Sequence, residues 1–206
     1  MSKPQVSTRI ITIPNILTFV RMGLIPIFAT LLAYHRAFDA LVVFTIAGVS
    51  DGIDGFVARR FKQESELGTL IDPIADKLLM TTAFVMLTIP GLIEGGRHLP
   101  VPFWVTAAVI GRDVLIIAVA ASIMIMTGFH SFKPSWPGKA STFVQVGGVM
   151  LILIAAVFPL LNGFYLPTVY TTVAAFAVFS GIHYIFFVSR LMREAENKKE
   201  DDADIL

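Results

Sequence analysis

Long apolar stretches alternate with short polar breaks along the whole chain of 206 residues. Each stretch is close to the roughly 20 residues that a helix needs to cross a bilayer. The breaks contain the Pro, Gly and charged residues that are typical of loops. The pattern predicts an all-α integral membrane protein with six transmembrane helices, at about residues 13–34, 38–60, 69–90, 102–127, 141–161 and 167–190.

The composition supports a multi-pass protein of the cell membrane. Hydrophobic residues make up 55% of the chain and charged residues only 15%, whereas soluble domains carry about 25% charged residues. The absence of cysteine excludes disulfides and thiolate metal sites. The net charge of +1 gives no indication of nucleic-acid binding, and we expect no nucleic-acid partner.

The Lys and Arg residues are divided unevenly between the two sides of the predicted helices. Eleven of the sixteen fall at the termini and in alternate loops on one side, and only Arg36 and Arg97 fall on the other. Because loops rich in Lys and Arg stay in the cytoplasm, both termini are predicted to be cytoplasmic. We assign residues 1–193 to one membrane domain and residues 194–206 to a charged, solvated C-terminal tail.

Four aspartates interrupt the second and third apolar segments. Residues three or four positions apart share a helix face, so Asp51 aligns with Asp54, and Asp72 aligns with Asp76. The loop between the two segments is short, which predicts antiparallel neighbours whose aspartates face a common point. Three small residues fall on the same faces and leave room beside the carboxylates: Gly55, Ala58 and Gly68.

These carboxylates predict a divalent-metal site that opens to the cytoplasm. An ionised carboxylate at membrane depth costs about 3 kcal/mol even on lenient insertion scales, so four of them require compensating cations. Oxygen ligands suit Mg²⁺, Mn²⁺ or Ca²⁺ better than zinc. One alternative is a set of buried salt bridges with nearby Arg and Lys. Another is a cation channel or transporter, which would favour acids spread through the membrane and inverted repeats.

The spacing of these residues resembles the signature of the CDP-alcohol phosphatidyltransferase family. The matching positions are Asp51-x-x-Asp54-Gly55-x-x-Ala58-Arg59, eight further residues, and Gly68-x-x-x-Asp72-x-x-x-Asp76. The resemblance implies an enzyme of phospholipid biosynthesis. It would transfer a phosphatidyl group from CDP-diacylglycerol to an acceptor hydroxyl, release CMP, and act as a homodimer among membrane lipids.

The resemblance also implies roles for individual residues. The four aspartates, Asp51, Asp54, Asp72 and Asp76, would hold two divalent ions, Mg²⁺ or Mn²⁺. Asp76 would also be the catalytic base that accepts the proton of the acceptor hydroxyl. The CDP moiety would be bound by Asp54, Gly55, Ala58, Arg59 and Gly68.

The acceptor is predicted from residues outside the signature. Residues 12–21 resemble the branch of the family that contains the phosphatidylglycerophosphate and cardiolipin synthases. Glycerol 3-phosphate is the first predicted acceptor. Phosphatidylglycerol, giving cardiolipin, is the alternative, and Arg112 followed by Asp113 resembles the cardiolipin synthases more.

Three cations, Arg112, Lys139 and Arg21, are predicted to bind the phosphate of the acceptor. Each has an alternative role that the sequence leaves open. Arg112 would then pair with Asp113, Lys139 would anchor a loop at the membrane surface, and Arg21 would serve helix packing.

Overall fold

A computed structural model describes residues 13–61, 66–93, 98–127, 136–158 and 165–204, with side chains described within 16–50, 71–93, 98–122, 136–158 and 165–190. All regular secondary structure in these residues is helical, which confirms the all-α class. The six helices are α1 (Ile13–Ala33), α2 (Ala37–Phe61), α3 (Glu66–Thr88), α4 (Phe103–Thr127), α5 (Trp136–Val157) and α6 (Leu166–Asp204).

Within the part of the chain that the structure describes, four helices are long and apolar enough to cross a membrane. These spans are Ile16–Ala33 in α1, Phe103–Ser122 in α4, Trp136–Val157 in α5 and Leu166–Arg190 in α6. In α2 the apolar part that the structure describes is shorter, Ala37–Ser50. Aspartates interrupt the apolar sequence of both α2 and α3. Six complete spans and cytoplasmic termini remain predictions.

The chain divides into two compact units. The first, here named the aspartate unit, comprises Met1–Phe103 and Val146–Val169. The second, named the arginine unit, comprises Trp104–Gln145 and Tyr170–Leu206. The predicted aspartates all belong to the first unit, and Arg112 and Lys139 belong to the second.

In the aspartate unit, α1 packs against both α2 and α3. The rings of Phe28 and Phe44, both fully buried, lie 5.7 Å apart and fix α1 against α2. Large apolar side chains supply the core of this unit because their burial removes the most surface from solvent. Its fully buried members include Phe28, Leu32, Phe44, Phe84 and Leu87.

A tight turn joins α1 to α2. The N–H of Arg36 donates to the carbonyl of Leu31 at 2.9 Å, and the N–H of His35 donates to that of Leu32 at 3.0 Å. His35 has a φ of 57°, the left-handed conformation that ends many helices in this hydrogen-bond pattern. The turn satisfies the last carbonyls of α1 and lets α2 return along it.

The largest differences from the predicted helix boundaries are at the start of α5 and the end of α6. Helix α5 begins at Trp136 rather than near 141. Its second residue is Pro137, and proline is well tolerated in a first turn because the N–H it lacks has no helical acceptor there. Helix α6 continues to Asp204, through the predicted tail.

Candidate active site

Asp72 and Asp76 lie one helical turn apart near the start of α3, and both are half-buried. Further along α3, the stripe that continues from Asp76 is apolar and buried, with Met80, Phe84 and Leu87. The two carboxylates therefore occupy core-facing positions at the polar end of this stripe. Acids on the lipid-facing side of α3 would not lie in line with its buried residues.

The aspartates of α2 are only partly described. Asp51 and Asp54 lie in the uninterrupted helix α2, so their spacing places both on one face of that helix. The side chains of six predicted site residues lie outside the described residues: Asp51, Asp54, Gly55, Ala58, Arg59 and Gly68. The meeting of the α2 and α3 aspartates, and the binding of CDP there, remain predictions.

A hydroxyl from α1 reaches the first carboxylate of α3. Thr18 is 1% exposed, and its Oγ1 donates a hydrogen bond to Oδ1 of Asp72. The contact joins two helices that are 54 positions apart in sequence. Within the described residues, this neutral hydroxyl is the partner that the structure gives Asp72, and no cation pairs with that carboxylate.

Arg21 lies on the same face of α1, three residues after Thr18. It is completely buried, which is unusual for arginine in any protein. Burial inside the aspartate unit agrees with the helix-packing role that the sequence left open. Its predicted contact with the phosphate of an acceptor remains a prediction.

The donor set fits the predicted metal ions in its chemistry. Carboxylate oxygens are the ligands that Mg²⁺ and Mn²⁺ prefer, and Asp72 and Asp76 present them from one face of α3. No group of three or more His, Cys, Asp or Glu residues that could hold a metal occurs among the side chains described. The predicted centre also includes Asp51 and Asp54, whose side chains lie outside the described residues.

In the arginine unit, Arg112 is held in a buried polar network. Its Nη1 donates to Oδ1 of Asp113 at 2.6 Å, and both residues are 7% exposed. Its Nη2 donates to Oγ of Ser180 at 3.0 Å and to the carbonyl of Gly138 at 3.4 Å. Nε also donates to Ser180, at 3.3 Å. The pairing with Asp113 is the alternative that the sequence left open for Arg112.

The network joins three helices, because Arg112 lies in α4, Gly138 in α5 and Ser180 in α6. The side chain of Arg112 passes over Gly181. A methyl group added at Gly181 would lie 3.6 Å from Cγ of Arg112, which is an ordinary contact. Lys139, beside Gly138, is exposed. Exposure agrees with either an anchoring role or a binding role for this lysine.

Among the described residues, five buried, uncharged polar residues were not among the predicted site residues. They are Thr18 in α1, Thr106 in α4, Ser141 and Gln145 in α5, and Ser180 in α6. Gln145 donates from Nε2 to Oγ of Ser141 at 3.3 Å, while its buried Oε1 makes no hydrogen bond to the described residues. A sequence signal exists for Thr18, since it precedes Arg21 by one turn. For Ser141 and Gln145 the signal is their spacing of four residues from each other on α5.

The chain belongs to the CDP-alcohol phosphatidyltransferase family, whose model matches residues 11–182. That range includes both halves of the aspartate signature, α1 with Thr18 and Arg21, and the Arg112 network. Membership places the protein in a family of phosphatidyltransferases and agrees with the resemblance found from the signature alone.

Several curated relatives are similar to the chain. It is 35% identical to the cardiolipin synthase (CMP-forming) of Homo sapiens, over 84% of this chain and 61% of that protein. It is 33% identical to a putative cardiolipin synthase of Mycobacterium tuberculosis, over 74% of this chain and 69% of that protein. It is 32% identical to a probable phosphatidylglycerophosphate synthase of Mycobacterium tuberculosis, over 90% and 84%. The chain thus spans about three fifths of the human relative.

Proposed function

We propose that this protein transfers the phosphatidyl group of CDP-diacylglycerol to the hydroxyl of a glycerol-type acceptor and releases CMP, in phospholipid biosynthesis. The observation that carries the proposal is the placement of Asp72 and Asp76, two residues of the family signature, at core-facing positions one turn apart on α3. Membership of the family supports the reaction type. The names of the relatives support a glycerol-type acceptor.

In the proposed reaction, the carboxylates bind the metal ions and accept a proton. Two divalent ions, Mg²⁺ or Mn²⁺, would be held by Asp51, Asp54, Asp72 and Asp76 and would neutralise the pyrophosphate of CDP-diacylglycerol. Asp76 accepts the proton of the acceptor hydroxyl. The hydroxyl oxygen bonds to the phosphorus that carries diacylglycerol. The bond from that phosphorus to the bridging oxygen breaks, and its electron pair leaves with CMP.

The nucleotide is proposed to lie along the cytoplasmic end of α2. Gly55 and Ala58 have little or no side chain, so a cytidine group can approach the helix closely there. Arg59 supplies a positive charge for the phosphates, and Asp54 and Gly68 complete this part of the site. These assignments rest on the family signature.

We infer that phosphatidylglycerol is the preferred acceptor, which makes cardiolipin the product. The terminal phosphate of glycerol 3-phosphate carries about 1.5 to 2 negative charges at pH 7, whereas the phosphodiester of phosphatidylglycerol carries one. Because Asp113 already neutralises Arg112, less positive charge remains to bind a dianion. The relatives named cardiolipin synthase support this order. Glycerol 3-phosphate, the first acceptor predicted from the sequence, is now the alternative, supported by the relative named phosphatidylglycerophosphate synthase.

An acceptor panel tests both levels of the proposal. Purified protein receives CDP-diacylglycerol, Mn²⁺ and one of four acceptors: phosphatidylglycerol, glycerol 3-phosphate, inositol phosphate or serine. We expect CMP and cardiolipin with phosphatidylglycerol. Phosphatidylglycerophosphate formed from glycerol 3-phosphate alone would transfer the assignment to the alternative. Absence of CMP release with every acceptor, including these two, would contradict a phosphatidyltransferase.

We also propose that the aspartates open to the cytoplasm and that the protein acts as a homodimer. The charge asymmetry of the loops supports the orientation, and the family resemblance supports the dimer. Because the chain lacks cysteine, Lys139→Cys and Arg36→Cys provide two exposed single sites on opposite sides of the predicted topology. An impermeant maleimide added to intact cells should label Cys at 36 and not at 139; the reverse pattern would invert the orientation.

A further inference from the structure

The hydroxyl of Thr18 has a different acceptor from the hydroxyls of Thr30 and Thr88, two other helical threonines of the aspartate unit. Thr30 and Thr88 each donate to the carbonyl four residues earlier in their own helix, at 2.7 Å. That local bond is the common arrangement for threonine within a helix. The hydroxyl of Thr18, by contrast, reaches from α1 to a carboxylate of α3.

The direction of this hydrogen bond follows from its chemistry. An ionised carboxylate has no proton to give, so the hydroxyl donates and Oδ1 of Asp72 accepts. Hydrogen bonds to an ionised acceptor are stronger than neutral ones. Because Thr18 is 1% exposed, water does not compete readily for its proton. The bond therefore restricts rotation of the Asp72 side chain without cancelling its charge.

We propose that Thr18 is a positioning residue that orients Asp72 for binding a divalent cation, an inference that rests on the proposed function. The cation is bound by the carboxylate, and the hydroxyl acts only through it. Groups that hold a ligating side chain in this way typically contribute about 10- to 100-fold to metal affinity or activity. α1 thus contributes to the site through a residue that is outside the aspartate signature.

The chain offers closely matched variants for a test. Thr18→Val replaces the hydroxyl by a methyl group of similar size, and Thr18→Ser keeps the hydroxyl. Thr30→Val removes the same group from an exposed position on the same helix. Thr18→Ala serves as a second variant that lacks the hydroxyl if the valine protein does not fold.

The measurement is binding of Mn²⁺ alone to the purified, full-length protein, followed by the electron paramagnetic resonance signal of the free ion. We expect Thr18→Val and Thr18→Ala to bind Mn²⁺ about 10- to 100-fold more weakly than the unaltered protein. Thr18→Ser and Thr30→Val should bind it with nearly unchanged affinity. Melting temperatures without metal are recorded in parallel, because a packing role would lower them and leave Mn²⁺ affinity unchanged.

Unchanged Mn²⁺ affinity in Thr18→Val or Thr18→Ala would overturn the proposal, whatever the melting temperature. Failure of the unaltered protein to bind Mn²⁺ would overturn it together with the metal part of the proposed function. If the unaltered protein binds Mn²⁺ but releases no CMP with any acceptor, the proposed reaction fails. The role of Thr18 is then still decided by the affinities of the variants.

Discussion

Asp72 and Arg112 are both charged groups in an apolar protein, yet their side chains have different kinds of partner in the two units. In the aspartate unit, Asp72 is held by the hydroxyl of Thr18, which orients a carboxylate and leaves its charge intact. In the arginine unit, Arg112 is held by the carboxylate of Asp113 at 2.6 Å, which cancels its charge. A charge that is oriented but not neutralised can still attract a ligand. A neutralised pair chiefly joins helices.

The largest effect on activity is expected from a substitution of Asp76, which belongs to the aspartate unit. Asp76→Asn removes the proposed base with almost no change of shape, and CMP release should fall by about 10²- to 10⁴-fold. The measurement is the rate of CMP release, with CDP-diacylglycerol binding recorded separately and expected to persist.

Asp39 provides the control for this substitution. It lies in the first turn of α2 and pairs with Arg36 at 2.5 Å near the surface, away from the signature. Asp39→Asn should leave CMP release near that of the unaltered protein. Full activity in Asp76→Asn would remove Asp76 from the role of base.

The next largest effect is expected on stability, in the arginine unit. Arg112→Met leaves Asp113 buried without its cation and should destabilise the protein by about 3–5 kcal/mol. The double variant Arg112→Met with Asp113→Leu removes both charges and should be close to neutral or stabilising. Unfolding in detergent, followed by circular dichroism, gives both values.

The same double variant tests the acceptor role predicted for Arg112. If the pair only joins helices, the folded double variant keeps the KM for phosphatidylglycerol. A KM raised tenfold or more in a stable protein would assign Arg112 to acceptor binding and weaken the contrast between the two units. Equal destabilisation of the single and double variants would contradict neutralisation by Asp113.

Lys139 should give the smallest effect. It is exposed, and interactions of exposed charges are weak and screened by salt. Lys139→Gln should raise the KM for the acceptor by no more than about fivefold at low salt, with less change at high salt. If the increase in KM persisted at high salt, Lys139 would make a buried contact with the acceptor, which would contradict this prediction.

Hydrophobic patterning was sufficient to locate the six helices that the structure describes, because polar breaks separate the apolar stretches clearly. It placed the start of α5 too late, since Trp136, Pro137 and Gly138 are residues typical of a loop, although proline is compatible with a first helical turn. It ended the last helix near residue 190, whereas α6 continues to Asp204, because charge alone does not distinguish a solvated coil from a charged helix.

The aspartate signature was recognisable because its residues are spaced by helical turns on two adjacent segments. The hydrogen bond of Thr18 to Asp72 depends on how α1 packs against α3, and sequence spacing within one helix carries no information about that packing. The sequence analysis offered Arg112 two partners, Asp113 and the phosphate of the acceptor. Its hydrogen bonds to Ser180 and Gly138 depend on how two other helices pack against α4, which sequence spacing does not reveal.

The central claim is that the aspartates support metal-dependent transfer from CDP-diacylglycerol. The most direct test follows CMP release by purified, chelator-treated protein supplied with CDP-diacylglycerol and phosphatidylglycerol, before and after Mn²⁺ or Mg²⁺ is added. We predict negligible release without a divalent ion and saturable restoration when one is added. An equal rate of CMP release with and without divalent ions would contradict the claim.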